Sequence, residues 1–277
     1  MFPLTTSVCD VDEHCIGERW EPKDDDQLAA LIALIAMGQA AQAAYIIESM
    51  APAEPAFSMA ELRNEAKITL TVQSSPQTPR VGYPKYQRDG FIFEAISWLA
   101  AKQEYGNAAV LKDPHVSSTT QGLDGLMLEL NVGRTSIDRT TVFEDKCTDD
   151  PVATFAGKVM TAFKDRHQNK RSAEIIAAAS TLLRMAGVTT KQAATMSAQV
   201  TSRGKRRYRA AFAVTTDLDS QERRAALFKG YDKLDGLAQE QRLGACFVVP
   251  PKLRDWLESL SVKAIHFLDD LEDDIGV

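Results

Sequence analysis

The chain has 277 residues, of which 44% are hydrophobic and 25% charged, and its net charge is −6. This is the composition of a globular chain with one large or two small packed cores, and it excludes a disordered or fibrous one. The negative charge also excludes a uniformly basic nucleic-acid coat, but it is unevenly spread: residues 1–26 hold eight acids and two bases, residues 264–277 five acids and no base, and the middle 25 acids and 30 bases. A basic middle between acidic ends suits either contact with a polyanion or plain solubilising tails.

The N-terminal stretch MFPLTTSVCDVDEHC lacks the basic-then-apolar order of a secretory signal. Cys9, His14 and Cys15 have no second pair at zinc-ligand spacing, and four scattered cysteines do not make a disulfide framework. Residues 23–50 predict one long helix, with Asp24, Asp25 and Asp26 at the positive end of its dipole. Its apolar run, residues 28–37, is too short to span a bilayer. The expectation is a cytoplasmic protein with no membrane partner. Because apolar residues cover nearly every face, the helix is expected to be buried or to meet a partner protein.

A short helix near residues 58–65 and a strand over 66–73 come next, followed by the loop SSPQTPRVGYP. Its turn formers mark the one candidate boundary, between a helical, partner-docking region at 1–84 and a main domain at 85–277. Residues 87–106 predict an amphipathic helix ending at a glycine, and 108–112 a short strand. Residues 123–130 and 140–147 read as strands joined by the short polar linker NVGRTSIDR, hence an antiparallel hairpin. Helices are expected over 152–169, 172–186, 190–201, 220–236 and 252–273, and strands over 207–216 and 245–251. The fold class is therefore α/β, a mixed sheet flanked by helices.

The hairpin concentrates the chemistry. A symmetric register centred near Thr135 pairs Asp124 with Lys146 and Leu126 with Glu144. Glu144 and Lys146, two apart on a strand, share a face with Val142, while Phe143, Asp145 and Cys147 take the other. Two carboxylates so close need a cation between them, and a hard divalent ion such as Mg²⁺ suits them. With a lysine beside the metal-bound water, phosphodiester hydrolysis is the natural chemistry. The tripeptide alone decides nothing, since Glu65 and Lys67 repeat the ExK spacing without a partner acid.

The order is a helix with an inward acid, a strand with Asp-Gly, a hairpin, a strand with ExK, then a helix. It resembles the restriction-endonuclease-like superfamily of PD-(D/E)xK phosphodiesterases over roughly residues 87–169. Asp124 of GLDGL and Glu144 and Lys146 of FEDKC match its motif, although Leu123 replaces the motif's proline. The resemblance implies a restriction-endonuclease-like mixed sheet with an N-terminal helical addition. It implies Mg²⁺ or Mn²⁺ held by Asp124, Glu144, the backbone carbonyl of Asp145 and Glu94, with Lys146 assisting the attacking water. Among narrower families, the sequence looks most like the nuclease subunits of Hachiman-type antiphage defence systems, which implies DNA as substrate and a helicase or ATPase partner.

DNA contacts are expected from Lys158 and Lys164 and from Lys205, Arg206 and Arg207 in the basic run SRGKRRYR. His115, in the loop before the site, could touch a phosphate. No Gly-rich phosphate loop and no Cys–His spacing is present. The alternatives are a non-catalytic interaction subunit that keeps the fold, or an enzyme that prefers RNA.

Overall fold

The computed structural model describes residues 2–75, 77–116 and 122–273. Its first two elements are strands, β1 (Leu4–Asp12) and β2 (Cys15–Pro22), paired antiparallel. The acidic N-terminal stretch thus builds sheet, and the helical character expected of residues 1–84 begins only at Asp25. In β1 only Leu4, Val8 and Val11 are strongly apolar, too weak a period-2 pattern to stand out among the acids.

Helix α1 (Asp25–Ala36) is capped by Asp24, whose side chain accepts the Gln27 N–H at 3.0 Å. The expected single helix breaks at Gly38, where φ is +78°. Gly38 N–H and Gln39 N–H return to the carbonyls of Ile35 and Leu34, both at 2.9 Å. This is the double closure that a glycine just past a helix end permits. Helix α2 (Ala40–Ser49) then runs separately. Helix α3 (Ala60–Leu70) covers much of the expected strand at 66–73. Its buried positions Ala66, Thr69 and Leu70 follow helical spacing, so packing overrides the β-propensity of ITLTV.

Helix α4 (Lys85–Tyr105) is the long amphipathic helix expected there. It leads into β3 (Ala109–Leu111), β4 (Gly125–Leu130) and β5 (Ile137–Lys146), an antiparallel meander. A continuous helical segment follows: α5 (Pro151–Thr154), a π-helical stretch (Phe155–Val159) and α6 (Met160–His167). Then come α7 (Ser172–Met185), α8 (Thr190–Met196), β6 (Arg206–Thr215), α9 (Gln221–Leu227), β7 (Arg242–Val249) and α10 (Leu253–Asp269). The helix expected at 220–236 stops at Leu227 and resumes only as a single turn at Tyr231–Lys233.

The strands form one seven-stranded mixed sheet in the order β1-β2-β7-β6-β5-β4-β3. β2, β7, β6 and β5 are mutually parallel, while β1, β4 and β3 run antiparallel to their neighbours. The sheet crosses the boundary expected at residue 84. One face packs against α1, α2, α3, α4 and α10, and the other against the π-helical stretch and α6–α9.

The apolar run of α1, Leu28–Ala36, is buried within the chain's own core. The acidic ends also find partners at home: Asp26 pairs with Lys263, Asp269 with Lys67 and Asp273 with Arg63. The apolar helix is therefore covered by the chain itself, and some of the end acids are paired within it. No helix among the described residues is long and apolar enough to cross a membrane.

Candidate functional site

The hairpin register places Gly125 opposite Phe143 and Leu126 opposite Val142. It differs by two residues from the expected symmetric pairing and puts Asp124 level with Glu144. The Asn131 side chain causes the offset, accepting the N–H groups of Thr135 (2.7 Å) and Ser136 (3.1 Å) and closing the turn early. A register shift between Glu129 and Leu130 follows. Two residues are one full period of a strand, so every side chain keeps its expected face. Gly125 is required here: a Cβ would come 2.5 Å from the Phe143 ring.

Asp124, Glu144 and Lys146 meet. The Lys146 ammonium donates to Asp124 Oδ2 and lies 2.9 Å from Glu144 Oε2. Asp124 Oδ2 also accepts the backbone N–H of Asp145 at 3.0 Å. Burial disfavours the Lys146 ammonium, but Asp124 and Glu144 outweigh it and hold its pKa above the ordinary lysine value. Lys146 is therefore a fixed positive charge, not a base, in this geometry.

A fourth group, Arg166 of α6, belongs to the cluster although its sequence gave it no prominence. It is 2% exposed and donates through Nη1 to Glu144 Oε1. A signal was present: Phe155, Val159, Phe163 and Arg166 lie on the buried stripe of one helical segment, and an arginine on such a stripe needs a buried acid.

On the opposite face, as expected, lie Phe143, Asp145 and Cys147. Burial raises the Asp145 carboxyl to about 7, with Arg209 acting in the lowering direction. Arg209, on β6, lies 3.6 Å from Asp145 and from the centre of the Phe143 ring, and it donates to the Ser97 hydroxyl. Burial pushes the Cys147 thiol up to about 12, which leaves it a packing residue.

Glu94 lies on α4, as expected, but its carboxylate is occupied by the loop before the site. Oε1 accepts the His115 N–H at 2.9 Å, and Oε2 lies 3.2 Å from His115 Nδ1. Lys112 Nζ is 3.2 Å from the other ring nitrogen. These contacts tie Lys112 and His115 to Glu94 and join Glu94 to neither Asp124 nor Glu144. The hydroxyl-rich residues 117–121 of that approach lie outside the described residues.

The expected DNA-contacting residues divide. Lys158 and Lys164 are exposed on the helical segment after the site. Arg206 is 1% exposed and donates to the carbonyls of Val200 and Arg166 and to Asn169 Oδ1. Arg207 is buried beside Glu129 and Tyr105, and Lys205 Nζ donates to the Ile137 carbonyl at 2.6 Å. The basic run is the start of an interior strand, between β5 and β7, so the surface role expected of Arg206 and Arg207 is corrected to a structural one. The duplicate Glu65–Lys67 lies on α3, where residues two apart diverge, and Lys67 pairs with Asp269.

Asp124, Glu144 and the Asp145 carbonyl offer hard oxygen donors suited to Mg²⁺, which binds few carboxylates and keeps waters. In this structure the Lys146 ammonium bridges the two carboxylates. Among the described residues, no group of three or more His, Cys, Asp or Glu side chains could hold a metal. No protein-family model matches this chain, and neither does any curated protein sequence.

Proposed function

We propose that the chain is a metal-dependent phosphodiesterase acting on DNA. The observation that carries this is the Lys146 ammonium shared by Asp124 and Glu144 where β4 begins and β5 ends. The order α4-β3-β4-β5-helix-β6, with β6 parallel to β5, supports a restriction-endonuclease-like core. Asp124, Glu144 and the Asp145 carbonyl would hold Mg²⁺, which when bound lowers the pKa of its water and polarises a phosphate. Lys146 supplies positive charge for the developing oxyanion. Arg166 fixes the Glu144 carboxylate, and the Asp145 N–H fixes that of Asp124. Exposed Lys158 and Lys164 would meet the DNA backbone.

A role as the effector subunit beside a helicase in antiphage defence rests on the family resemblance. One observation favours a second reading, a non-catalytic subunit that keeps the fold. Asp124 and Glu144 are already balanced by Lys146 and Arg166, as in a structural ion cluster.

Cleavage assays decide between them. The protein is incubated with double-stranded DNA, single-stranded DNA and RNA, in Mg²⁺ or EDTA. Mg²⁺-dependent DNA cleavage that is absent in Glu144→Ala and Lys146→Ala supports the nuclease. Equal cleavage by wild type and both variants would sink the site assignment. No cleavage of any substrate favours the non-catalytic subunit, and preferential cleavage of RNA moves the substrate class.

A further inference from the structure

Val8 and Glu18 are cross-strand partners on β1 and β2 and so project from the same face of the sheet. Val8 is 80% exposed, so that face is uncovered at its β1 margin. Thr6, Ser7, Val8, Glu18, Trp20 and Glu104 line a cavity of about 290 Å³ there, between the edge hairpin and the C-terminal end of α4. Glu104 sits exposed at its rim.

Glu18 is only 8% exposed, and its Oε2 has no hydrogen-bond partner among the described residues. A buried carboxylate without a partner is costly and uncommon. The cation whose field reaches Glu18, Arg209, is committed elsewhere. Its guanidinium lies between the Trp20 ring (5.0 Å) and the Phe143 ring (3.6 Å) and meets Ser97 and Asp145. Burial, with Glu104 next in effect, raises the Glu18 carboxyl to about 7.

We infer that this cavity is a binding site for an organic monocation, an ammonium or guanidinium head on a short aliphatic stem. Glu18 and Glu104 take the head, while Val8 and Trp20 supply the apolar wall for the stem. A divalent metal fits less well. The cavity offers two acids, the rest of its lining is Thr6, Ser7, Val8 and Trp20 with no third carboxylate, and a hard cation wants more charged oxygen ligands. The site lies on the opposite face of the sheet from Glu144 and Lys146 and is independent of the nuclease proposal.

Calorimetry on the full chain tests it, with agmatine and n-butylamine as probes and Mg²⁺ alone as a separate arm. Saturable binding of a probe is expected, at least about tenfold weaker in the near-isosteric Glu18→Gln, which removes a charge-assisted hydrogen bond. Val8→Lys, at an exposed position, sets a tethered ammonium opposite Glu18. It is expected to abolish probe binding and raise the melting temperature. Equal binding by wild type and Glu18→Gln would overturn the inference. So would the absence of saturable binding by either probe, which leaves a water-filled cavity. Displacement of agmatine by Mg²⁺ at matching stoichiometry would replace it with a metal site.

Discussion

The carboxylate of Asp124 accepts the backbone N–H of Asp145, 3.0 Å away, while the same oxygen accepts from Lys146. One side chain thus ties the start of β4 to the backbone and the charge at the end of β5. Asp124→Asn keeps an oxygen that can accept the N–H but removes the charge facing Lys146. The expected outcome is a folded protein whose Mg²⁺-dependent cleavage falls by about a hundredfold or more. Cleavage rates measured alongside thermal melting check it. A variant that melts normally and cleaves at the wild-type rate would remove Asp124 from the site.

Arg166 is the group most deeply committed to Glu144, at 2% exposure. Replacing it with methionine leaves Glu144 buried with only Lys146 opposite. Breaking a buried pair from one side costs roughly 3–5 kcal/mol, and Lys146 holds the loss here to about 3 kcal/mol. Restoring the balance with Glu144→Gln in the same chain is expected to recover part of that. Urea denaturation of both single variants and the double variant measures the coupling. Additive losses would show that the two side chains do not depend on each other.

Much of this site was legible in the sequence, because it rests on strand periodicity. Glu144 and Lys146 share a face whatever the register, and the turn-centred hairpin had to bring Asp124 near them. The register itself was missed by two residues because it is set by the Asn131 side chain, a local hydrogen-bond choice that apolar patterning does not encode. Long-range pairings were less visible. Arg206 and Arg207 read as a basic surface because nothing local shows that β6 is an interior strand, and β1–β2 were hidden by their acids. The α1 run carried a fair warning of burial, but only the fold shows that the chain itself supplies the cover.

Glu18 gives the protein a pH dependence of definite sign. Its carboxyl is raised from the ordinary value of 4.5 to about 7, first by burial and then by Glu104, with Arg209 opposing and Asp145 adding to the rise. Tyr105 also lies within its field. A raised carboxyl means that the folded state holds its proton after the unfolded state has released it. The associated stability is fully present below pH 4.5 and is lost as pH climbs through about 7. Denaturation midpoints are expected to decline across that window in the wild type and to decline less in Glu18→Gln. Parallel pH profiles for the two proteins would show that Glu18 is not the responsible group.

The two halves of the expected DNA surface should respond differently to truncation. Lys158 and Lys164 are exposed, whereas Arg206 is buried and donates to the Val200 and Arg166 carbonyls and to Asn169. Each exposed lysine that meets a phosphate contributes about one unit to the slope of log affinity against log salt. The Lys158→Ala, Lys164→Ala double variant is therefore expected to keep its melting temperature and to lower that slope by about two units. Arg206→Ala leaves two carbonyls and an amide oxygen without their donor in the interior. It is expected to destabilise the fold by a few kcal/mol, weakening DNA binding only as the folded fraction falls. Salt titrations of binding, paired with melting curves, separate the two effects. An unchanged slope in the lysine variant would place the DNA path on another face of the molecule, and a stable Arg206→Ala with a reduced slope would return Arg206 to the surface.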